Sequence, residues 1–134
     1  MTRIPGAKAL ASDLPTSPVP RTPTFTIEVS FEAGEQFLNP AGDVQGGILA
    51  AMLDDTLGPA LVATLGPSEW APTTDLHVQF LAPAKPGRLL GRGRVTKRGR
   101  TIAHMAGELV AADGTLLATA VATASVRGAG PAGS

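Results

Sequence analysis

The sequence predicts an α+β domain in which one long helix lies across an antiparallel sheet. Three observations carry that prediction: one alternating apolar segment comes first, an apolar run too long for a strand follows, and four strand-like segments separated by turn signals complete the pattern. With 134 residues and 43% hydrophobic content, the chain suits one domain with a core of its own.

Residues 1–23 hold five prolines, at positions 5, 15, 18, 20 and 23, among Ser and Thr, and read as a flexible arm with a short turn around Lys8 to Leu10. The domain is expected over 24–127. Thr24 to Phe31 alternates β-branched or aromatic residues with others and reads as a strand. The run over about 47–65 is apolar nearly all round, which reads as a long buried helix that stops at Gly66-Pro67. Strands are then expected over Ala71 to Leu81, Gly87 to Lys97, Thr101 to Ala112 and Thr115 to Val126. Their breaks are PAKPG, KRGR and ADG, the last an Asp-Gly hairpin signal. Residues 128–134, GAGPAGS, read as a flexible tail.

The absence of cysteine excludes disulfides, thiolate catalysis and cysteine-ligated metal. His77 and His104 are well separated and read as strand-surface or satisfied interior residues, so no metal is expected. There is no apolar run of membrane-spanning length and no charged-then-apolar leader, so a cytoplasmic protein without a membrane partner is the expectation. A formal net charge of zero gives no argument for a nucleic-acid partner. The distribution of charge says more. Lys85, Arg88, Arg92, Arg94, Lys97, Arg98 and Arg100 supply seven of the eleven basic side chains in a stretch, Leu76 to Gly107, that holds no acid. That surplus suits a compact anionic partner, and the competing reading is a pair of solvated strands whose arginines serve solubility.

Chemistry concentrates in Asn39 to Asp54, NPAGDVQGGILAAMLD, where a turn-rich loop runs into a helix start and an acid sits two turns inside. Gly46 and Gly47 would let a ligand approach the backbone, and the first N–H groups of a helix are unsatisfied donors at its positive end. Such donors can hold the oxygen of a thioester or ester as it becomes negative. The plainer reading of the glycine pair is a loop-to-helix turn chosen for conformation alone. Asp54 and Asp55 lie about 100° apart around the helix, so one is expected to be buried and the other nearer solvent. Asp54 shares a face with Gly47, Ala50, Ala51, Gly58 and Leu61, mostly small residues, whereas Asp55 aligns with Met52, Pro59 and Val62 and could serve the bend at Pro59. An ionised carboxylate in such a helix needs partners or a function.

Gly46 and Asp54 are eight residues apart, or about 12 Å along the axis, while both would need to lie near 3 Å from one reacting group. If they act together, the acid of one subunit faces the helix entrance of another, and a two-fold dimer carries two equivalent sites.

The N-P-x-G-x-x-Q-G-G entrance, the Asp nine residues after Gln45, the TTDLHVQFLAPAKPG strand and the GR-containing hairpin together resemble the hotdog-fold acyl-CoA thioesterases of the PaaI-like group, over roughly Phe25 to Val126. The resemblance implies a hotdog fold, one central helix wrapped by a curved antiparallel sheet of five to six strands, in homodimers with interfacial active sites that often pair into homotetramers. It implies Asp54 as general base or nucleophile, Asn39 as the loop amide that positions water or thioester, and Gly46 as backbone donor to the thioester oxygen. Thr73 falls where a Ser or Thr hydroxyl supports the attacking group, although it also reads as an ordinary strand residue. Gln45 and Gly47 complete the entrance, and Lys85, Arg88, Lys97, Arg98 and Arg100 would suit coenzyme A phosphates. No cofactor is implied, coenzyme A being part of the substrate.

One departure concerns Gln45, where many relatives have His. An amide cannot titrate near neutral pH, so no proton transfer is expected there. Thioester hydrolysis does not require it, because a thiolate leaves readily and Asp54 can supply the base or nucleophile. A hotdog dehydratase is disfavoured because it needs an Asp-His pair, and no His follows Asp54 within two helical turns. The alternative from another class is a hotdog domain that binds acyl-CoA or a related ligand without turnover.

Overall fold

The computed structural model describes residues 26–128. The expected arm, 1–23, lies outside the described residues, as do 129–134 of the tail. Strand β1 covers Thr26–Ala33, a short 3-10 turn Glu35–Phe37, and helix α1 Gly46–Val62. There follow β2 (Glu69–Trp70), β3 (Thr73–Phe80), β4 (Gly87–Arg98), β5 (Ile102–Ala111), β6 (Leu116–Ser125) and β7 (Arg127–Gly128). Five strands form one antiparallel sheet in the order β1-β4-β5-β6-β3, and β2 and β7 form a separate two-stranded ribbon. The expected Ala71 to Leu81 strand is shortened to Thr73–Phe80, because Pro72 has no N–H to continue a ladder. Glu69 and Trp70 pair instead with Gly128 and Arg127.

This is the hotdog arrangement, one helix laid on one face of a sheet. Alternation along β4 turns Leu89, Gly91, Gly93 and Val95 toward the helix and Arg88, Arg92 and Arg94 away from it. Alanines 118, 120, 122 and 124 face the same core along β6. From the helix, Leu49, Met52, Leu53, Thr56, Leu57, Ala60 and Leu61 fill that core.

The helix meets the sheet most closely over three glycines. A Cβ at Gly91 would collide with the Thr56 hydroxyl, one at Gly93 would stand 3.0 Å from the Thr56 carbonyl oxygen, and one at Gly107 would stand 2.7 Å from the Arg92 carbonyl oxygen. Leu57 reaches into the same floor, 3.1 Å and 2.8 Å from the Cβ positions of Gly93 and Gly107. Thr56 is 0% exposed, and its hydroxyl donates to the Met52 carbonyl at 2.8 Å, so its polarity is satisfied within its own helix.

The expectation of a long buried helix is met on one side of α1 only. Gly47, Ala51, Asp54, Asp55, Pro59 and Val62 are exposed, because the sheet covers one side of α1 only. Among the described residues, no helix is long and apolar enough to cross a membrane.

Overpacking the glycine floor is testable. Gly91→Ala is expected to cost about 1–3 kcal/mol, read as a fall of several degrees in Tm. The same substitution should cost less in a Thr56→Ala background, since the atom it collides with is gone. Strictly additive losses in the double variant would contradict this seating of the helix.

Candidate active site

The loop before α1 is folded by its own first residue. Asn39 Oδ1 accepts hydrogen bonds from the backbone N–H of Ala41 (2.9 Å) and of Asp43 (3.1 Å). Those two donors identify the amide oxygen and leave the Asn39 NH2 group to donate elsewhere. The turn needs Gly42, whose φ is 85°, a conformation that a residue with a Cβ rarely adopts. Val44 N–H donates to the Ala84 carbonyl at 2.8 Å, and Lys85 Nζ lies 2.6 Å from Asp43 Oδ1, so the loop is strapped to the segment after β3.

Between these two segments lies an open cleft of about 350 Å³ lined by Asn39, Asp43, Val44, Gly46, Leu49 and residues 80–84. Gly46 touches the cleft's aromatic wall: a Cβ there would be 3.2 Å from Phe80 Cζ. Gln45 occupies the N-cap position without a side-chain cap, and its carbonyl accepts the N–H groups of Ile48 and Leu49. The N–H groups of Gly46 and Gly47 have no acceptor among the described residues. The helix entrance therefore presents the Gly46 N–H beside a cleft of mixed polar and apolar lining, with the Gly47 N–H next to it in the first turn and the Asn39 amide among the lining groups.

Asp54 and Thr73 are brought together elsewhere. Thr73 Oγ1 stands 3.4 Å from Asp54 Oδ1, both on exposed residues at the opposite end of β3 from Phe80. The expected split of the two helix acids, one buried and one nearer solvent, is corrected: Asp54 and Asp55 are both exposed, on the side of α1 that the sheet leaves uncovered.

The basic residues are likewise separated. Lys85 and Arg88 sit at the start of β4, and Lys97, Arg98 and Arg100 at its far end, where its 12 residues span roughly 35 Å at about 3.3 Å each. The extended strand therefore keeps these two groups of basic residues apart within one chain. Several are also engaged: Lys85 with Asp43, Arg88 Nε with Glu32 at 3.4 Å, and Arg98 Nη2 with Glu69 at 2.7 Å. Arg92 is paired with Glu28 and Glu108. Arg94, Lys97 and Arg100 have no carboxylate partner among the described residues.

Glu69 anchors the end of the molecule that carries Lys97 to Arg100. The backbone N–H of Gly66, donating at 2.8 Å, and the Arg98 guanidinium hold its carboxyl below the ordinary range. Two contacts of this end escaped the sequence reading, the Glu69–Arg98 pair and Arg127, whose guanidinium carbon stands 5.7 Å from the Trp70 ring centroid. Neither leaves a motif, because each joins residues about 30 or more apart or across a two-residue ribbon.

Fold and site together define a single-helix hotdog domain with a donor-lined helix entrance and a helix carboxylate. The family model of the Thioesterase superfamily matches residues 41–118, and the chain belongs to that superfamily. A candidate esterase of Saccharolobus solfataricus is 30% identical over 95 residues, which are 71% of this chain and 66% of that protein. The chain thus spans just under two thirds of that relative's length. Among solved structures, a phenylacetic acid degradation-related candidate thioesterase of Ralstonia eutropha JMP134 is 45% identical, with a TM-score of 0.72 and 75% of each chain covered. At the level of fold alone, a Bacillus halodurans protein solved with CoA is 22% identical, with a TM-score of 0.71 over 73% of this chain and 69% of its own.

The depressed Glu69 fixes a pH dependence. Its contribution to stability is fully present above the unfolded carboxyl value, about 4.3 for Glu, and is lost as pH falls from there through the lower folded value. The Tm advantage of wild type over Glu69→Gln should therefore be present at pH 7 and shrink below about pH 4.3. A difference that stays constant from pH 7 to pH 3 would rule this out.

Proposed function

We propose that the protein hydrolyses the thioester of an aryl- or short- to medium-chain acyl-CoA, giving the free acid and coenzyme A. The observation that carries this reading is the meeting of Asp54 with Thr73 on a helix face made mostly of small residues. Superfamily membership supports the reaction class, and the Bacillus halodurans neighbour was solved with CoA on the same fold. The apolar part of the cleft supports the acyl range: Val44, Leu49, Phe80, Leu81 and Ala82 around about 350 Å³ suit a ring or a modest chain.

In the reaction, water attacks the thioester carbonyl carbon while Asp54 takes its proton and the Thr73 hydroxyl orients it. The oxyanion that forms accepts hydrogen bonds from the Gly46 N–H and the Asn39 amide, and its collapse expels the coenzyme A thiolate. With Asp54 as nucleophile instead, the acyl group passes through an anhydride that water then opens.

Since the entrance and Asp54 are about 12 Å apart along one helix, the reacting groups come from two subunits of a homodimer. The uncovered face of α1 and the outer edge of β3, a strand whose second edge is unpaired among the described residues, offer the surface for that pairing. Such a dimer would also bring the Lys85 end of one subunit toward the Lys97 end of the other. Two dimers would then make a homotetramer.

Thiol release from a panel of aryl- and fatty-acyl-CoA thioesters is the test. Asp54→Asn should lower kcat by about 10²- to 10⁴-fold on the best substrate. Asn39→Asp retains the oxygen that folds the loop but replaces the donor NH2, and should lower kcat with little loss of Tm. Equal rates for wild type and Asp54→Asn would reject the assignment, and coenzyme A binding with no hydrolysis of any thioester would favour a non-catalytic binding domain.

A further inference from the structure

We infer that Trp70 and Arg127 form the platform for the adenine nucleotide of the coenzyme A substrate, with Lys97 and Arg100 meeting its phosphates. The inference rests on the acyl-CoA reading above and extends it to a part of the surface that the chemistry does not use. Trp70 is 48% exposed, and the Arg127 guanidinium stands over its ring at 5.7 Å. An exposed indole beside a guanidinium offers a nucleobase both a stacking face and a cation, and base stacking on an aromatic side chain tolerates any base.

The strand registers place the phosphate-binding charges on the same side. Ser125 pairs with Ile102, Thr123 with His104, and His104 with Lys97, all on the face of the five-stranded sheet turned away from the helix, and Arg127, two residues beyond Ser125, pairs with Trp70 in the separate ribbon, both residues exposed. Val126 N–H donates to the Thr101 carbonyl at 2.8 Å, which sets Arg127 beside the hairpin that carries Arg100. Lys97, Arg100 and Arg127 have no carboxylate partner among the described residues. Glu69 does not neutralise them, because its carboxylate is held by Arg98 and the Gly66 N–H. Asp75 shares their side of the sheet but is separated from Lys97 by two intervening strands, β5 and β6.

Position relative to the reacting groups completes the case. Trp70 precedes Thr73 by three residues, so the platform lies within about 10 Å of backbone from the Asp54–Thr73 pair. The pantetheine arm spans such a separation with the nucleotide left at the surface, where its charge stays hydrated.

Trp70 is the chain's single tryptophan, so its emission reports on this place alone. Titration of the full-length protein with coenzyme A, and separately with adenosine 3′,5′-bisphosphate, should quench that emission saturably, while pantetheine should not. Trp70→Ala should cut the kcat/KM preference for an acyl-CoA over the N-acetylcysteamine thioester of the same acid roughly tenfold, and Trp70→Phe should restore much of it. Hydrolysis with no change in Trp70 emission at saturating coenzyme A, or an unaltered preference in Trp70→Ala, would overturn the platform and leave the hydrolase reading standing. Quenching by the bisphosphate without hydrolysis of any thioester would support the platform and sink the hydrolase reading instead.

Discussion

The seating of α1 on the glycine floor of β4 and β5 governs what the rest of the molecule can do. Gly91, Gly93 and Gly107 have no side chains, so Thr56 and Leu57 descend to the backbone of the sheet and the helix is fixed in depth and register. Dispersion in a contact this close is lost with small displacements, which makes the helix a rigid rod rather than an adjustable one. Everything attached to α1 inherits that rigidity. The free N–H group of Gly46 stays beside the cleft, and Asp54 stays beside Thr73.

A rigid helix also keeps its entrance and Asp54 apart. Along the proposed reaction path, the donors at the entrance and the carboxylate two turns later cannot converge on one carbon within one chain. In the proposed dimer the uncovered side of α1 gives that separation a use: glycine and alanine there would allow a second backbone to approach, and Asp54 stands among them on an exposed position. An exposed acid on a stripe of small residues is a poor structural element for a lone chain and a suitable one for a shared site. The basic side chains divide in the same sense, one group at each end of β4.

Much of the architecture was legible in the sequence because it follows from periodicity and breakers. The alternation in β4 to β6, the Asp-Gly turn and the helix stop expected at Gly66-Pro67 are local signals, and the structure places them within a few residues of expectation, the helix itself ending at Val62. Exposure of the helix was harder to read, since glycine and alanine look equally apolar whether they face a core or an uncovered surface. The glycine floor shows why: Gly91 and Gly93 count as weak strand residues until Thr56, some 35 positions earlier, is known to sit above them. Of the candidate site residues in one contiguous motif, Asn39 and Gly46 line one cleft while Gln45 and Gly47 do not, and the basic residues Lys85 and Arg88 are kept from Lys97 to Arg100 by the length of the strand between them. Long-range pairs such as Glu69 with Arg98 leave no mark in a single sequence.

The most direct measurement is complementation between two defective subunits. Asp54→Asn and Asn39→Asp proteins, each near inactive alone, are unfolded together, refolded as a mixture and assayed for thiol release. If the site is shared, a mixed dimer carries one site with both defects and one with neither, and the mixture should recover about a quarter of the wild-type rate. If each chain holds a whole site, every site keeps one defect. A mixture no more active than its components, with mixed dimers shown to be present, would contradict the shared site.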